Sequence, residues 1–210
     1  MNEKALKVIL EHVGESARAR DLFFETKAAL LLDAAKIMAV CLARKGKILL
    51  CGNGGSAADA QHVAAELVNR FLLERPPLPA VALSTDSSIL TAVGNDYGFE
   101  HIFAKQVLAL GNPGDVLVAI STSGSSPNII KAVEAARTRS MRVIGLTGKN
   151  GGDMAGLCDL HLNVEHDSTP VIQETHLTIE HLLCRICDYY LFENVPELMP
   201  LLQSSAAFQS

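Results

Sequence analysis

The chain has 210 residues, 49% of them hydrophobic and 5% aromatic, with a net charge of −5. That length suits one domain whose core is built from Leu, Ile, Val and Ala. A negative chain without a basic block is not a non-specific nucleic-acid binder, so any anionic ligand must be held by a local site.

The first elements are helical. Periodicity predicts a short helix over 2–13 and a longer one over 16–44. The most apolar stretch, Ala28 to Ala43, is broken by Asp33 and Lys36 and reads as a buried helix with no membrane span. The N-terminus lacks the basic region, apolar run and cleavage site of a secretory signal, and the cysteines number five. Free thiols in a reducing, cytoplasmic compartment are therefore expected.

From Lys47 onward the pattern alternates. Strand-like runs occur at Lys47–Cys51, Ala80–Ser84, Val116–Ser121, Val143–Thr147 and Leu160–Val164. Helical patterns lie between and after them, over 56–72, 87–94 with 100–110, 127–140, 152–157 and 170–194. Short apolar strands alternating with helices predict an α/β three-layer sandwich, a five-stranded parallel sheet with helices on both faces. The division expected is 1–45 as N-terminal helices, 46–195 as the α/β core and 196–210 as a tail that fits no motif. Ligands of such sheets sit beyond the strand C-terminal ends, which directs attention to four loops.

After the first strand come Gly52, Asn53, Gly54, Gly55 and Ser56. Glycines permit a tight turn and close approach, and the helix N-terminus offers free N–H groups, with Ser56 as N-cap or ligand donor. The loop is neither a Walker A nor a dinucleotide fingerprint, and a plain strand-to-helix turn is the alternative. After the third strand, Ser121, Thr122, Ser123, Ser125 and Ser126 flank Gly124 ahead of Pro127. Five hydroxyls and a helix start suit a phosphate monoester, the alternative being a polar linker with an N-cap. Asn95 and Asp96, in Gly94-Asn-Asp-Tyr-Gly98, can bond sugar hydroxyls or simply make a turn.

Proton-transfer and metal candidates lie on two helices. His62 and Glu66 share one face of a helix that is otherwise almost wholly apolar, so burial on nearly all sides is expected. A buried His and carboxylate need a partner or a metal. The last long helix carries Gln173, His176, Glu180 and His181. Here Glu174 and Glu180 read as a solvated face, and His181 as either a core histidine or a functional one. Cys184 and Cys187 form a C-x-x-C without a second pair and read as two small buried side chains.

Together these segments resemble the SIS family and, within it, the phosphoheptose isomerases. The resemblance rests on Cys51-Gly-Asn-Gly-Gly-Ser-Ala-Ala-Asp-Ala-Gln-His62, Ala64-Ala-Glu66-Leu, Gly94-Asn-Asp-Tyr-Gly-Phe, Ile120-Ser-Thr-Ser-Gly124, Leu146-Thr-Gly-Lys, and Ile172-Gln-Glu-Thr-His followed by His181. It implies isomerisation of sedoheptulose 7-phosphate to D-glycero-D-manno-heptose 7-phosphate, for bacterial surface polysaccharide, by a homotetramer with active sites between subunits. It implies one zinc per subunit on His62, Glu66, Gln173 and His181, and substrate contacts at Asn53, Gly54, Gly55, Asn95, Asp96, Ser121, Thr122, Ser123, Ser126 and Gln173. Ser56 joins them from the helix N-terminus argument. Glu66, also a substrate contact, is the expected base and His181 the expected acid. Gln173 and His181 are eight residues apart, ~12 Å along a helix. Both reach one ion if their side chains lean together or if the helix starts after Gln173, which Thr169-Pro170 would permit.

Two other readings share the fold. Asn69-Arg-Phe71, Glu74-Arg-Pro-Pro and Ala104-Lys-Gln also resemble a non-catalytic SIS paralogue that binds the bacterial replication-initiation protein. The resemblance puts non-ionisable residues at positions 66 and 181 of that paralogue, whereas Glu66 and His181 are both ionisable. A SIS isomerase for another sugar phosphate is the second.

Overall fold

The computed structural model describes residues 2–203. Five parallel strands form one sheet in the order β2-β1-β3-β4-β5: β1 Ile48–Gly52, β2 Ala80–Ala82, β3 Val116–Ser121, β4 Arg142–Gly148 and β5 Leu160–Val164. Strands β1, β3 and β4 are almost wholly buried, as expected of a sheet covered on both faces.

Alternation along the strands sorts the core into two layers. On one face Ile48, Leu50, Val116, Val118, Ile120, Ile144 and Leu146 pack with α1 (Glu3–Ala43), α2 (Gly55–Val68) and α6 (Thr169–Asp188). On the other, Leu49, Cys51, Leu117, Ala119 and Val143 meet α4 (Ala104–Leu110) and α5 (Pro127–Thr138). The three-layer parallel architecture read from the sequence is thus the one observed. The register pairs Gly52 with Ile120 and Ser121 with Thr147, so the loops after β1, β3 and β4 open side by side at one edge.

The element bounds differ from expectation in informative places. Residues 2–13 and 16–44 are not two helices: α1 runs unbroken for 41 residues through Gly14. An interior glycine costs a helix only ~1 kcal/mol, less than a run this long can absorb. Helix α2 ends at Val68, short of residue 72, and α3 (Ser87–Tyr97) extends past Gly94. The turns 99–101 and 152–156 are 3₁₀. Beyond α6 the chain continues as a π-helical turn, Tyr189–Glu193. Much of the supposed tail is ordered. Leu198 is buried, Glu197 Oε1 lies 3.1 Å from Lys36 Nζ, and Arg44 donates to the Leu201 carbonyl of α7 (Met199–Gln203) at 2.9 Å. Residues 204–210 of that tail lie outside the described residues.

Candidate active site

Helices α2 and α6 run side by side with their N-termini at the ligand-binding edge. Gly55 opens α2, and a side-chain carbon there would fall 2.4 Å from Gln173 Nε2, so glycine is what admits the Gln173 amide. Two turns further on, His62 of α2 meets His181 of α6, Nε2 to Nε2 at 2.8 Å with the rings edge to face. Glu66 Oε1 lies 3.8 Å from His62 Nε2, and Phe71 stacks on the other side of the His181 ring. Both imidazoles and Glu66 are half-buried, open enough for a ligand to reach them.

Gln173 lies against Gly55, two turns of α2 before His62. Helix α6 begins at Thr169, before Gln173, so the late start that would close the gap is absent. The supposed all-round burial of α2 is also corrected. Ser56, Ala60, Val63, Ala64 and Leu67 are buried, while Ala58, Ala65 and Val68 are exposed.

At the neighbouring loop, Ser121 Oγ lies 3.1 Å from Ser126 Oγ and 3.4 Å from Ser123 Oγ, and Ser123 Oγ accepts from the Ser125 N–H. Ser126 is the residue before α5 and Pro127 its first helical residue, as expected. Gly124 holds a left-handed φ of +67° and rests directly on the Gly151 carbonyl, a contact no larger residue could make. Thr122 is half-buried in this loop, its carbonyl close against Gly148. The geometry is a hydroxyl-rich cup at the N-terminus of a twelve-residue helix, suited to a dianion.

The glycine loop departs from expectation at one residue. Gly54, at φ +55°, is the N-cap of α2, and Ser56 is buried inside the first turn with its backbone packed on Gly52. Asn53 pairs its amide with that of Asn128. Asn95 and Asp96 are exposed on α3, a helix without a buried residue, where Asn95 Nδ2 donates to Asp96 Oδ1 at 2.8 Å. Among the described residues neither forms a hydrogen bond to the imidazole pair.

Several buried polar groups near the site escaped the sequence reading. Glu180 does not belong to a solvated face: it is 1% exposed and neither carboxylate oxygen meets a hydrogen-bond partner among the described residues. Burial, then the charge of Asp59, pushes its carboxyl up to about 8. Glu174 is exposed as expected, and its carboxylate accepts from His12 Nε2 at 2.8 Å. Arg75 is buried and clamps the end of α2. It donates to the carbonyls of Glu66 at 3.0 Å and Leu67 at 2.7 Å and, through Nε, to Asp188 at 3.0 Å. Its place in the Pro-flanked run Glu74-Arg-Pro-Pro was the available signal. Cys184 and Cys187 are buried with thiols raised by burial, in line with two small core side chains.

Residues 11–148 match the model of the SIS domain family. The chain belongs to the SIS domain family. The chain is 57% identical over 206 residues to a phosphoheptose isomerase of Nitratidesulfovibrio vulgaris, covering 98% of this chain and 99% of the relative. It is 61% identical over 203 residues to a phosphoheptose isomerase of Solidesulfovibrio magneticus, covering 97% and 99%. Among solved structures, a phosphoheptose isomerase from Neisseria gonorrhoeae superposes with a TM-score of 0.83 at 50% identity, covering 88% of this chain and 98% of that one. One from Francisella tularensis gives 0.85 at 46%, with the same coverage.

Proposed function

We propose that the chain is a phosphoheptose isomerase, converting sedoheptulose 7-phosphate to D-glycero-D-manno-heptose 7-phosphate through an enediolate. The observation that carries this reading is the meeting of His62, His181 and Glu66 beside the serine cup, in a chain 57% identical to named phosphoheptose isomerases. The reaction so proposed belongs in the cytoplasm, in heptose supply for bacterial surface polysaccharide.

The phosphate is held by Ser121, Thr122, Ser123 and Ser126 with the N-terminus of α5, so the sugar extends towards α2. Asn53, Gly54, Gly55, Ser56 and Gln173 line its path, Ser56 through its backbone N–H since its side chain is buried. Glu66 takes the proton from C1 of the ketose, and the electron pair moves into the C1–C2 bond and on to O2. His181 supplies a proton at O2 and takes one back from O1, and return of the Glu66 proton to C2 yields the aldose. Each such group typically contributes ~10²–10⁴-fold.

The residue types also suit zinc. Among the described residues no three His, Cys, Asp or Glu side chains are already arranged around a metal. Tetrahedral zinc with bonds of ~2.0–2.1 Å sets its ligand atoms ~3.3 Å apart. The separations of 2.8 Å for His62 to His181 and 3.8 Å for His62 to Glu66 bracket that value, so side-chain shifts of roughly half an ångström would admit the ion. His62, Glu66 and His181 would hold it, with Gln173 as the outlying fourth donor. Bound there, zinc supplies Lewis-acid polarisation of the substrate oxygens.

A homotetramer with sites between subunits is part of the proposal. It is supported by Asn95 and Asp96, two sugar-binding candidates that stand exposed on α3.

Turnover of sedoheptulose 7-phosphate by wild type, Glu66→Gln and His181→Gln, beside a panel of five- to seven-carbon ketose phosphates, tests the reading. The expected result is preference for the seven-carbon ketose and a loss of at least ~10²-fold in each variant. Near-normal turnover in both variants would remove Glu66 and His181 from the chemistry.

A further inference from the structure

The amides of Asn53 and Asn128 form a closed pair. Asn53 Nδ2 donates to Asn128 Oδ1 at 2.9 Å, and Asn128 Nδ2 donates back to Asn53 Oδ1 at 2.8 Å. Rotation of either amide alone would set N–H against N–H and oxygen against oxygen. Asn128 is 2% exposed, in the first turn of α5 directly after Ser126-Pro127, and Asn53 is half-buried in the glycine loop after β1. Each amide has two N–H groups and two carbonyl lone pairs, of which the pair consumes one of each. Asn53 therefore keeps one donor and one acceptor for a ligand, on a side chain that cannot turn freely, while the buried Asn128 reaches no solvent.

We propose that Asn128 is a positioning residue that acts through Asn53, holding the sugar-binding glycine loop at a fixed distance from the phosphate cup. Strands β1 and β3 set the two loops beside each other, and their ladder ends at Gly52 opposite Ile120. The amide pair is a cross-link between side chains at the base of the two loops. A substrate gripped by its phosphate at one loop and by its hydroxyls at the other is bound in register only when that distance is fixed. The inference rests on Asn53 as a substrate contact.

A double-mutant cycle with Asn53→Ala, Asn128→Ala and both together tests it, reading KM and kcat for sedoheptulose 7-phosphate and inhibition by inorganic phosphate. Asn128→Ala is expected to raise KM about tenfold with kcat changed less than about threefold, and to leave phosphate inhibition unchanged. In the Asn53→Ala background it should add less than about twofold, because its effect passes through the residue already removed. Asn128→Asp keeps the shape and one bond of the pair, serves where the alanine variant folds poorly, and should shift KM in the same direction. An equal KM factor in both backgrounds overturns the proposal, as does an unchanged KM in Asn128→Ala and Asn128→Asp when Asn53→Ala raises it. An unchanged KM in Asn53→Ala instead removes Asn53 from the substrate and takes the proposal with it; wild-type turnover in the same series checks the isomerase reading separately.

Discussion

At the scale of single residues, two imidazoles with Nε2 atoms 2.8 Å apart share a limited set of options. If both are neutral, one donates and one accepts; if a cation lies between them, both turn lone pairs towards it. Glu66 on the same face of α2 favours a cation, since it adds negative charge to the pair. The expected outcome is about one zinc per chain in protein purified without chelator, measured by elemental mass spectrometry. His62→Ala should bind the ion at least tenfold more weakly in a competition titration with a chromophoric chelator. Metal content and affinity unchanged in His62→Ala would place the ion elsewhere. His62 and Glu66 were readable as neighbours because four residues make one helical turn. Their meeting with His181 was not, because nothing local relates positions 62 and 181; the parallel course of α2 and α6 does.

At the scale of elements, α6 carries a row that misleads sequence reading. His176, Glu180, Cys184 and Asp188 recur every fourth residue and are all buried. Three are polar types that usually mark a wet face, so Glu180 read as solvated. Burial here is made tolerable by partners from other elements: His176 Nε2 donates to the Thr147 carbonyl of β4 at 2.9 Å, and Asp188 accepts from Arg75. Periodicity located the stripe, but the sign of its exposure depended on contacts 29 and 113 residues away in the chain. His176 has a measurable consequence. Burial lowers its pKa to about 4, against 6.5 when unfolded. The unfolded chain therefore takes up the proton first, so the stability it contributes is present above pH 6.5 and is lost as the pH falls towards 4. The loss is about 3 kcal/mol over that window. His176→Gln keeps an amide donor without titrating. Urea unfolding at pH 6.5 and pH 4 should show the wild type losing about 3 kcal/mol more than the variant. Equal losses would mean that His176 is not held neutral by burial.

At the scale of the whole molecule, the sheet and its cover on both faces were legible because short, continuously apolar strands alternate along the chain with helices. What a single sequence cannot separate is a side chain buried in its own core from one buried by another copy. Both look apolar. Ala58, Ala65 and Val68 of α2 read as core and are exposed. The same ambiguity is largest in the first four turns of α1. Leu6, Ile9, Leu10 and Val13 follow the spacing of one helical stripe, yet the last three are 59%, 62% and 60% exposed. A helix that leaves such a stripe in water gains little from folding beyond its propensity, and a contiguous apolar strip of this kind marks a contact surface. In the proposed homotetramer a second copy of the chain would cover it, and Asn95 and Asp96, exposed on α3, would reach a neighbouring subunit's site. Assembly and activity should then fall together. Leu10→Glu with Val13→Glu introduces two charges into the stripe. Sedimentation velocity is expected to show the wild type as a tetramer and the double variant as smaller species. Turnover per chain should drop at least tenfold in dilute solution and recover as protein concentration rises, by mass action. A double variant that sediments like the wild type would free the stripe from any role in assembly. One that dissociates yet keeps full turnover at every concentration would return Asn95 and Asp96 to the surface of a self-sufficient subunit.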